Sequence, residues 1–312
     1  MQSIAAVVVT YNRKELLTQC IACLRGQQGA ACDILVVDNA STDGTDELLR
    51  MLAGPDLKSI NPGENLGGAG GFALGVKRAV EAGYESLWLM DDDTLPEPGA
   101  LAALLRCERE LGDGIGWLSS RAVDREGNDQ PMNRQRRTPY QDITGYGDAP
   151  VPSVMASFVS LYLRADTVRA FGLPIAEFFI WSDDWEFTRR ISRKMTCYTV
   201  PQSRVVHAMK NKTVVNIAKD TPDRLDRYRY FYRNDVVLYR GEGLVGWLWL
   251  LCKDAWHSVQ VLMGKDPDKG KRLGIIWSSF AAGVRFYPPI RYPGKTDFYV
   301  YGKDGELGNA GS

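Results

Sequence analysis

The sequence predicts an α/β protein, in which a mostly parallel sheet is flanked by helices and followed by a helical C-terminal region. Two observations lead to this prediction. Over the first hundred residues, short apolar runs alternate with segments of helical periodicity, which is the pattern of β-α-β units with right-handed crossovers. After residue 210, apolar residues recur every three or four positions instead, which indicates helices.

The predicted strands of the first part are continuous apolar runs, as expected for strands buried on both faces of a sheet. We place them at residues 4–9, 33–38, 59–61 and 87–90, with helices at about 14–26, 45–52 and 72–82. The third strand is the weakest. The glycine-rich stretch 63–71 lies before the third helix, and we interpret it as a loop.

The later segments are less regular. Helices are predicted at 99–111, 166–171 and 182–193, and strands at 115–120, 153–163, 196–201 and 204–207. The stretch 124–148 is polar and rich in turn residues. We interpret it as a mobile loop or lid.

Three carboxylates, Asp91, Asp92 and Asp93, directly follow the strand 87–90. Ligands of open α/β sheets bind at the carboxyl ends of strands, where Asn12 and Asp38 follow two other predicted strands. Three acids side by side repel each other unless a cation lies among them. The pattern therefore favours a divalent metal with a phosphorylated ligand. The alternative is a solvated acidic turn that caps the next helix.

A second acidic cluster opens the helix predicted at 182–193. Asp183, Asp184 and Glu186 follow an apolar segment, so one of them can serve as a general base, or they can simply complement the helix dipole. Trp181 and Trp185 offer a stacking face for a sugar. His207 is either a structural histidine or a third metal ligand.

The glycine stretch admits a second interpretation. Gly68, Gly70 and Ala73 fit a dinucleotide fingerprint, but that fingerprint belongs after the first strand, and no lysine stands where a Walker A motif requires one. The glycines then either let a phosphate or sugar approach the backbone or turn the chain tightly into a helix.

Composition limits the class of protein. Apolar residues make up 45% and charged residues 24% of the 312-residue chain, which indicates an ordered core rather than disorder. Six scattered cysteines and the lack of a signal-like apolar segment predict a reduced, cytoplasmic protein.

Residues 1–209 hold 21 basic and 27 acidic side chains, and residues 210–312 hold 17 and 11. This basic excess either favours an anionic surface or is an ordinary fluctuation. The amphipathic helix at 244–262 either packs on the core or lies at a membrane surface.

The ordered set of motifs resembles the inverting family 2 glycosyltransferases of the GT-A fold, over roughly residues 4–210. The segments 8–13 and 36–44 look like the first two strands of that family, Asp91-Asp92-Asp93 like its D-x-D metal motif, and Asp183-Asp184-x-Glu186 like the motif that carries its base. The segments 65–72, 88–93 and 180–184 look most like bacterial galactofuranosyltransferases. Rhamnosyltransferases share much of this pattern, including the neighbourhood of residues 232–234.

The resemblance implies a role for each matching residue. Thr10, Asn12, Arg13 and Asp38 would hold the base and ribose of the nucleotide, Asn65, Gly68 and Gly70 would lie along the nucleotide-sugar, and Asp92 would reach the ribose or the sugar. Asp91, Asp93 and His207 would bind Mn²⁺ or Mg²⁺. Asp184 would be the general base, with Trp181, Asp183, Trp185 and Glu186 on the acceptor side.

These roles imply a metal-dependent, inverting transfer of galactofuranose from UDP-galactofuranose to a glycan or lipid-linked acceptor in bacterial cell-surface polysaccharide synthesis. The alternatives are transfer of rhamnose from dTDP-rhamnose, a nucleotide-sugar-binding scaffold without turnover and, less favoured, a dehydrogenase. We expect a catalytic domain at 1–210 and a helical, basic region at 211–312 that serves acceptor or membrane association or oligomerisation, as in a homodimer. We expect the protein in the cytoplasm, either free or peripheral on the inner face of the cell membrane, and we expect no nucleic-acid partner.

Overall fold

The computed structural model describes residues 2–208, 215–265, 267–294, 299–301 and 307–309. The strands are β1 (Ile4–Thr10), β2 (Asp33–Asp38), β3 (Leu57–Ile60), β4 (Ser86–Asp91), β5 (Thr94–Pro96), β6 (Ile115–Val123), β7 (Arg136–Thr138), β8 (Gln141–Asp142), β9 (Val151–Pro152), β10 (Leu161–Arg164), β11 (Thr196–His207), β12 (Tyr299–Tyr301) and β13 (Leu307–Asn309). The helices are α1 (Lys14–Arg25), α2 (Thr45–Leu52), α3 (Gly67–Glu81), α4 (Ala100–Leu111), α5 (Ala165–Phe171), α6 (Asp183–Ser192), α7 (Tyr228–Arg240), α8 (Gly243–Met263) and α9 (Lys269–Arg285).

The main sheet is mixed, with the order β3-β2-β1-β4-β10-β6-β11-β5, and β9 pairs with β11. The first four of these strands are parallel to one another, whereas β10 runs antiparallel to both of its neighbours. Thr10 of β1 pairs with Asp38 of β2, and Val9 pairs with Asp91 of β4. The register therefore brings the carboxyl ends of three adjacent strands to one rim, as the sequence predicts.

Both faces of the sheet are covered by helices. Val7 and Val9 of β1 are buried with residues of α3, whereas Ala6 and Val8 are buried with residues of α1 and α4 on the opposite face. Successive strand residues point to opposite faces, so a strand that is apolar throughout is buried on both sides. This arrangement confirms the α/β prediction. The six cysteines are free thiols, as expected.

The structure corrects the prediction of a loop over the glycine stretch. The helix α3 begins at Gly67, not near residue 72, so five residues of the glycine stretch are helical. A Cβ atom on Gly71 would lie 2.6 Å from Cγ1 of Val9, and one on Gly75 would lie 2.5 Å from Cγ1 of Val7. The glycines therefore let α3 pack closely against β1, which offsets the low helix propensity of glycine.

The segment 124–148 is also more ordered than predicted. It contains a 3₁₀ turn, Pro131–Asn133, and the β7–β8 hairpin, and the backbone N–H of Arg136 bonds the carbonyl of Met155 at 2.9 Å. The side chains of Gln130 and Gln135 are almost fully buried. Buried polar side chains of this kind hold the segment against the sheet, so it is not the mobile loop that we predicted, and the role of a lid stays a prediction.

Two further strand predictions differ from the structure. Of the predicted strand 153–163, only β10 forms, after a 3₁₀ turn at Phe158–Ser160. The two strands predicted near residue 200 are one strand, β11, with an irregular register between Val200 and Arg204. A bulge lets one strand continue past an interruption of its pattern, and it carries β11 on to His207.

The C-terminal helices α7, α8 and α9 pack on one another and, through α7, against α6. Their common core contains Leu225, Tyr232, Val261 and Ile276. Among the described residues, no helix combines the length and apolar character needed to cross a membrane.

Candidate active site

Asp91, Asp93 and His207 form a compact cluster at the rim. Asp91 ends β4, Asp93 lies in the turn to β5, and His207 ends β11, where it pairs with Thr94 of β5. One potential ligand atom from each of the three side chains lies within 4.8 Å of the others, and Nε2 of His207 is 2.9 Å from Oδ1 of Asp93. Two strands that are distant in sequence thus assemble the three residues that the sequence proposed as metal ligands.

The charges of this cluster suit a divalent cation. Burial, followed by the neighbouring charge of Asp93, raises the pKa of Asp91 to about 7. Burial would also raise the pKa of Asp93, but the hydrogen bond and charge of His207 and the charge of Arg13 lower it. Two carboxylates and an imidazole are ligands that Mn²⁺ accepts, and a cation removes the repulsion between the acids. The residues present therefore fit a Mn²⁺ or Mg²⁺ site.

The imidazole of His207 is oriented by a residue that the sequence analysis missed. Its Nδ1 atom lies 2.7 Å from Oδ1 of Asn133, and Asn133 in turn donates to Oγ of Ser157 at 3.2 Å. An imidazole that donates its Nδ1–H to this oxygen directs the Nε2 lone pair toward the carboxylates. Partners of this kind fix the tautomer of a metal-binding histidine.

Asp92 turns away from the cluster. It is 3% exposed, its Oδ2 accepts a hydrogen bond from Oγ1 of Thr10 at 2.7 Å, and its Oδ1 lies 3.2 Å from Nη1 of Arg13. Burial raises the pKa of Asp92 to about 6, although Arg13 opposes the shift. The same guanidinium binds Oδ2 of Asp93 at 2.7 Å. The ribose or sugar contact expected of Asp92 stays a prediction, since this carboxylate is here bound to Thr10 and Arg13.

Polar side chains also join the loops after β1 and β2. Oδ1 of Asn12 accepts from the backbone N–H of Thr42 at 2.7 Å, and Asn12 itself has a positive φ of 53°. The buried Asp38 accepts from the backbone N–H of Ser41 at 3.0 Å and from Nδ2 of Asn61 at 3.4 Å. These bonds build a rim of fixed shape at the place where the nucleotide is expected.

The start of α3 lies against the segment that leads to α6. Oδ1 of Asn65 accepts from the backbone N–H of Gly67 at 2.9 Å. Gly67 has a φ of +70°, and a Cβ atom there would overlap the carbonyl oxygen of Phe179, whereas a Cβ atom on Gly68 would meet nothing within 4 Å. A Cβ atom on Gly70 would lie 2.6 Å from Cβ of Leu66. Tight packing therefore explains Gly67 and Gly70, and only Gly68 faces open space.

A cavity of about 480 Å³ adjoins the cluster. It is lined by Asn12, Arg13, Glu15, Leu16, Gln19, Arg125 and Ala208. Ala208 is held there by the bond from its backbone N–H to the carbonyl of Asp93 at 2.8 Å. Two arginines give the cavity a positive lining that suits phosphate oxygens. Arg125 comes from the segment that we predicted to be a mobile loop or lid, and no motif in the sequence singles it out.

The second acidic cluster opens α6 and lies within electrostatic reach of the first. Burial, followed by the charge of Asp183, raises the pKa of Asp184 well above its usual range, and the charge of Asp91 adds to the shift. Burial also raises the pKa of Asp183 to about 7. An acid with a raised pKa is a stronger base once it is ionised. The proposed base is therefore within electrostatic reach of one of the proposed metal ligands, Asp91.

The residues expected on the acceptor side are occupied by protein contacts. The ring of Trp181 meets the rings of Tyr228 and Phe231 at centroid distances of 5.2 and 5.9 Å. The guanidinium of Arg136 lies 3.6 Å from the ring centroid of Trp185. Both carboxylate oxygens of Glu186 bind Arg190, at 3.0 Å each. One face of Trp185 is thus covered and Glu186 is paired, and their acceptor roles stay predictions.

Comparison with known proteins identifies the family. The family model described as glycosyl transferase family 2 matches residues 5–167. The chain belongs to glycosyltransferase family 2. Galactofuranosyltransferase GlfT1 of Mycobacterium tuberculosis is 31% identical over 303 residues, which cover 88% of this chain and 99% of that protein. The protein of the same name from Mycolicibacterium smegmatis is 30% identical over 258 residues, or 77% of this chain and 84% of the relative.

Solved structures agree with this family 2 glycosyltransferase in fold. The mannosyltransferase PcManGT of Pyrobaculum calidifontis, in complex with GDP-Man and Mn²⁺, superposes with a TM-score of 0.53 at 16% identity, covering 92% of this chain and 76% of that one. TarS 1–349 of S. aureus, in complex with UDP-GlcNAc, superposes with a TM-score of 0.51 at 15% identity, covering 89% and 72%. The glycosyltransferase therefore has the GT-A fold with a helical C-terminal region.

Proposed function

We propose that this glycosyltransferase transfers galactofuranose from UDP-galactofuranose to a glycan or lipid-linked acceptor, with inversion and with Mn²⁺ or Mg²⁺. The observation that carries the proposal is the cluster of Asp91, Asp93 and His207 at the rim, with Asp184 within electrostatic reach of Asp91. A base near a metal cluster can accept a proton from the acceptor hydroxyl while the metal cluster binds the diphosphate of the donor. The choice of sugar rests on the GlfT1 relatives, which are about as long as this chain.

The proposed chemistry is a single displacement at the anomeric carbon. A metal ion held by Asp91, Asp93 and His207 would neutralise charge that develops on the departing diphosphate. Asp184, in its ionised form, accepts the proton of the acceptor hydroxyl while that oxygen forms the new bond to the sugar and UDP departs with its bonding electrons. Arg13 and Arg125, which line the cavity beside the cluster, hold phosphate oxygens. No covalent sugar–enzyme intermediate is formed, so the configuration inverts.

Turnover of the purified protein tests the proposal. UDP-galactofuranose, Mn²⁺ and a lipid-linked acceptor should give a galactofuranosylated product, and EDTA should abolish it. Asp184→Asn should reduce kcat by about 10²- to 10⁴-fold, because it removes the general base, while the affinity for UDP with Mn²⁺ is kept. A folded Asp184→Asn variant with wild-type turnover would disprove the base, and turnover in EDTA would disprove the metal requirement.

Two other outcomes lead to different functions. Product from dTDP-rhamnose in place of UDP-galactofuranose makes the protein a rhamnosyltransferase. Binding of UDP without product from any donor and acceptor makes it a nucleotide-sugar-binding scaffold.

We also propose that α8 lies on a membrane surface and thereby brings the site to a lipid-linked acceptor. The charged residues of this helix, Lys253 and Asp254, point inward with side-chain exposures of 14% and 1%. Its outer face is apolar over the whole length of about 30 Å, and the exposed residues are Leu244, Val245, Leu248, Trp249, Leu251, Trp256, Val259, Leu262 and Met263. An apolar face with tryptophans is typical of interfacial helices.

Basic residues support this choice over a second protein chain. Lys265 follows the apolar face in the turn to α9, and Lys269 and Lys271 lie in the first turn of α9, in a stretch of sequence that also holds Asp266 and Asp268. Lysines beside an apolar helical face favour anionic headgroups. The glycosyltransferase should therefore co-sediment with vesicles that contain anionic lipid, and less of it should do so at high salt.

A further inference from the structure

The proposed base is carried by a segment with unusual backbone geometry. In the six residues 177–182, which directly precede α6, Phe179, Trp181 and Ser182 have positive φ angles of 64°, 66° and 65°. A non-glycine residue with such a φ angle is strained and persists only where its surroundings hold it. A segment with three of them needs strong contacts on its flanks.

Asn234 of α7 supplies a large share of these contacts. Its side chain is fully buried, and Nδ2 lies within hydrogen-bond distance of three carbonyl oxygens of the segment, which share its two N–H groups: that of Phe178 at 3.0 Å, that of Ile180 at 3.1 Å and that of Trp181 at 3.0 Å. Three carbonyls converge on one amide nitrogen because the segment curls around it. The residues that directly follow these carbonyls, Phe179, Trp181 and Ser182, are the ones with positive φ angles, whereas the carbonyl of Phe179 bonds the backbone N–H of Ala69 instead.

The two neighbours of Asn234 bind the same segment. Nη2 of Arg233 donates to the carbonyl of Glu177 at 2.6 Å, and the Nε and Nη2 atoms of this arginine also hold Oδ1 of Asn234, at 3.0 and 2.9 Å. Oδ1 of Asp235 accepts from Oγ of Ser182 at 2.6 Å. Consecutive helical residues project about 100° apart, so three of them reach one short segment only if it wraps around that face of the helix.

The acid in this group is neutralised from α8. The ammonium group of Lys253 pairs with Asp235 and lies 4.7 Å from the ring centroid of Phe231. Its side chain is only 14% exposed, so the ion pair is little screened by water. Asp235 can therefore remain an acceptor for Ser182 while buried.

The other flank of the segment rests on α3. The backbone N–H of Ala69 donates to the carbonyl of Phe179 at 3.1 Å. The segment thus lies between the start of the glycine-rich helix and α7, two residues before Asp184.

We propose that Asn234, supported by Arg233 and Asp235, is a positioning residue that holds residues 177–182 so that Asp184 faces the metal cluster. The proposal rests on the proposed function, since it assigns Asp184 the role of base. It gives the helical C-terminal region a part in catalysis that is separate from membrane contact. Through its contacts with residues 177–182, this region would fix the position of the proposed base.

The test compares Asn234→Ala with Asn216→Ala in the full chain. Asn216 is a matched control, because its amide bonds Gln260 at 3.5 Å and the backbone N–H of Ala218 at 2.9 Å, both within the C-terminal region. Asn234→Ala should lower kcat per UDP-binding site by about 10- to 100-fold, as expected for a misplaced catalytic group. The KM for the donor and the affinity for UDP with Mn²⁺ should stay within about twofold of wild type, since the nucleotide contacts are unchanged. Asn216→Ala should match wild type in all three.

Hydrogen exchange supplies a readout that does not depend on the donor. Asn234→Ala should speed exchange of the amides at 177–184 and leave those of α4 unchanged. If Asn234→Ala does not fold, Ser182→Ala removes only the hydroxyl bound to Asp235 and should lower kcat by a smaller factor with the same pattern.

The outcomes separate this proposal from the proposed function. Faster exchange at 177–184 with unchanged kcat per UDP site overturns the positioning role, as does a loss of UDP affinity equal to the loss of kcat. A wild-type protein without turnover overturns the proposed function instead. In that case the exchange experiment alone decides whether Asn234 holds the segment, and unchanged exchange rejects it.

Discussion

Asn133 is a buried amide that contacts His207 and can set the tautomer of its imidazole ring. Because Oδ1 of Asn133 lies 2.7 Å from Nδ1 of His207, it fixes the ring orientation and favours the tautomer that can bind a metal. We predict that Asn133→Ala lowers the affinity for Mn²⁺ by about 10- to 100-fold, the usual effect of removing such a partner. Titration calorimetry with Mn²⁺ and UDP measures this.

Asn128→Ala is the control for this prediction. Asn128 lies in the same segment but bonds only Asp124 and the chain around it, so its removal should leave Mn²⁺ affinity unchanged. Equal Mn²⁺ affinity in the Asn133→Ala variant would show that His207 needs no such partner. The sequence could not identify Asn133, because 74 residues separate it from His207 and only the folded sheet brings the two together.

His257 illustrates a residue whose protonation opposes folding. It is buried beside Lys253, and burial, followed by that charge, lowers its pKa from 6.5 to about 4. Oη of Tyr232 lies 2.9 Å from its Nδ1, so the neutral ring accepts a hydrogen bond. Between these two pKa values the unfolded chain binds a proton that the folded chain does not, and stability therefore falls as the pH decreases.

We predict that His257→Gln removes this pH dependence while keeping an acceptor for Tyr232. When the pH is lowered from about 7.5 to about 4.5, the free energy of unfolding of wild type should fall by about 2 kcal/mol more than that of the variant. Urea unfolding at both pH values measures the difference. Buried acids with raised pKa values, such as Asp91 and Asp254, act in the opposite direction but in both proteins. If the free energies of unfolding of the two proteins differed by the same amount at both pH values, the lowered pKa of His257 would be contradicted.

Among the single elements, α3 contains two kinds of glycine, one tightly packed and one in open space. Gly67 requires a positive φ and close contact with Phe179, whereas Gly68 faces open space. Gly67→Ala should lower the free energy of unfolding by about 2 kcal/mol or more, from backbone strain and overlap together. Gly68→Ala should leave stability unchanged or slightly higher, since alanine is the better helix former, and should raise the KM for the donor if the nucleotide-sugar lies there. Thermal unfolding and donor kinetics of the two variants decide between these outcomes, and equal stabilities would refute the packing argument.

The same element shows what sequence patterns can and cannot predict. The strands β1, β2 and β4 were predicted correctly, because buried parallel strands are apolar throughout and end in polar residues at a common rim. The sequence of residues 67–71 showed no sign of a helix, because glycine has a low helix propensity. This low propensity is outweighed by the close packing of Gly71 on Val9 and of Gly75 on Val7, which is a property of the folded sheet. In segment 124–148, the buried side chains of Gln130 and Asn133 likewise find their partners far away in sequence, at His207 and Ser157.

The whole molecule combines a rim of charged residues with a C-terminal helix whose apolar side faces outward. If that side contacts a bilayer, charge placed on it must weaken binding. We predict that Leu248→Glu with Trp256→Glu reduces co-sedimentation with anionic vesicles by about tenfold or more, because two exposed apolar side chains are replaced by acids. Turnover with a water-soluble acceptor should be unchanged, since both residues are 55% or more exposed and neither touches the rim.

Met51→Glu is the matched control for the membrane prediction, because Met51 of α2 is an apolar residue that is 75% exposed outside the C-terminal helices. It should bind vesicles like wild type. If the double variant of α8 binds vesicles normally but changes from dimer to monomer in solution, the apolar side joins two copies of the chain. The same surface would then serve assembly, and delivery of a lipid-linked acceptor would have to depend on another part of the protein. Loss of vesicle binding while the protein stays monomeric would place α8 on the bilayer, and the proposed role of Asn234 would then connect that helical region to the proposed base, Asp184.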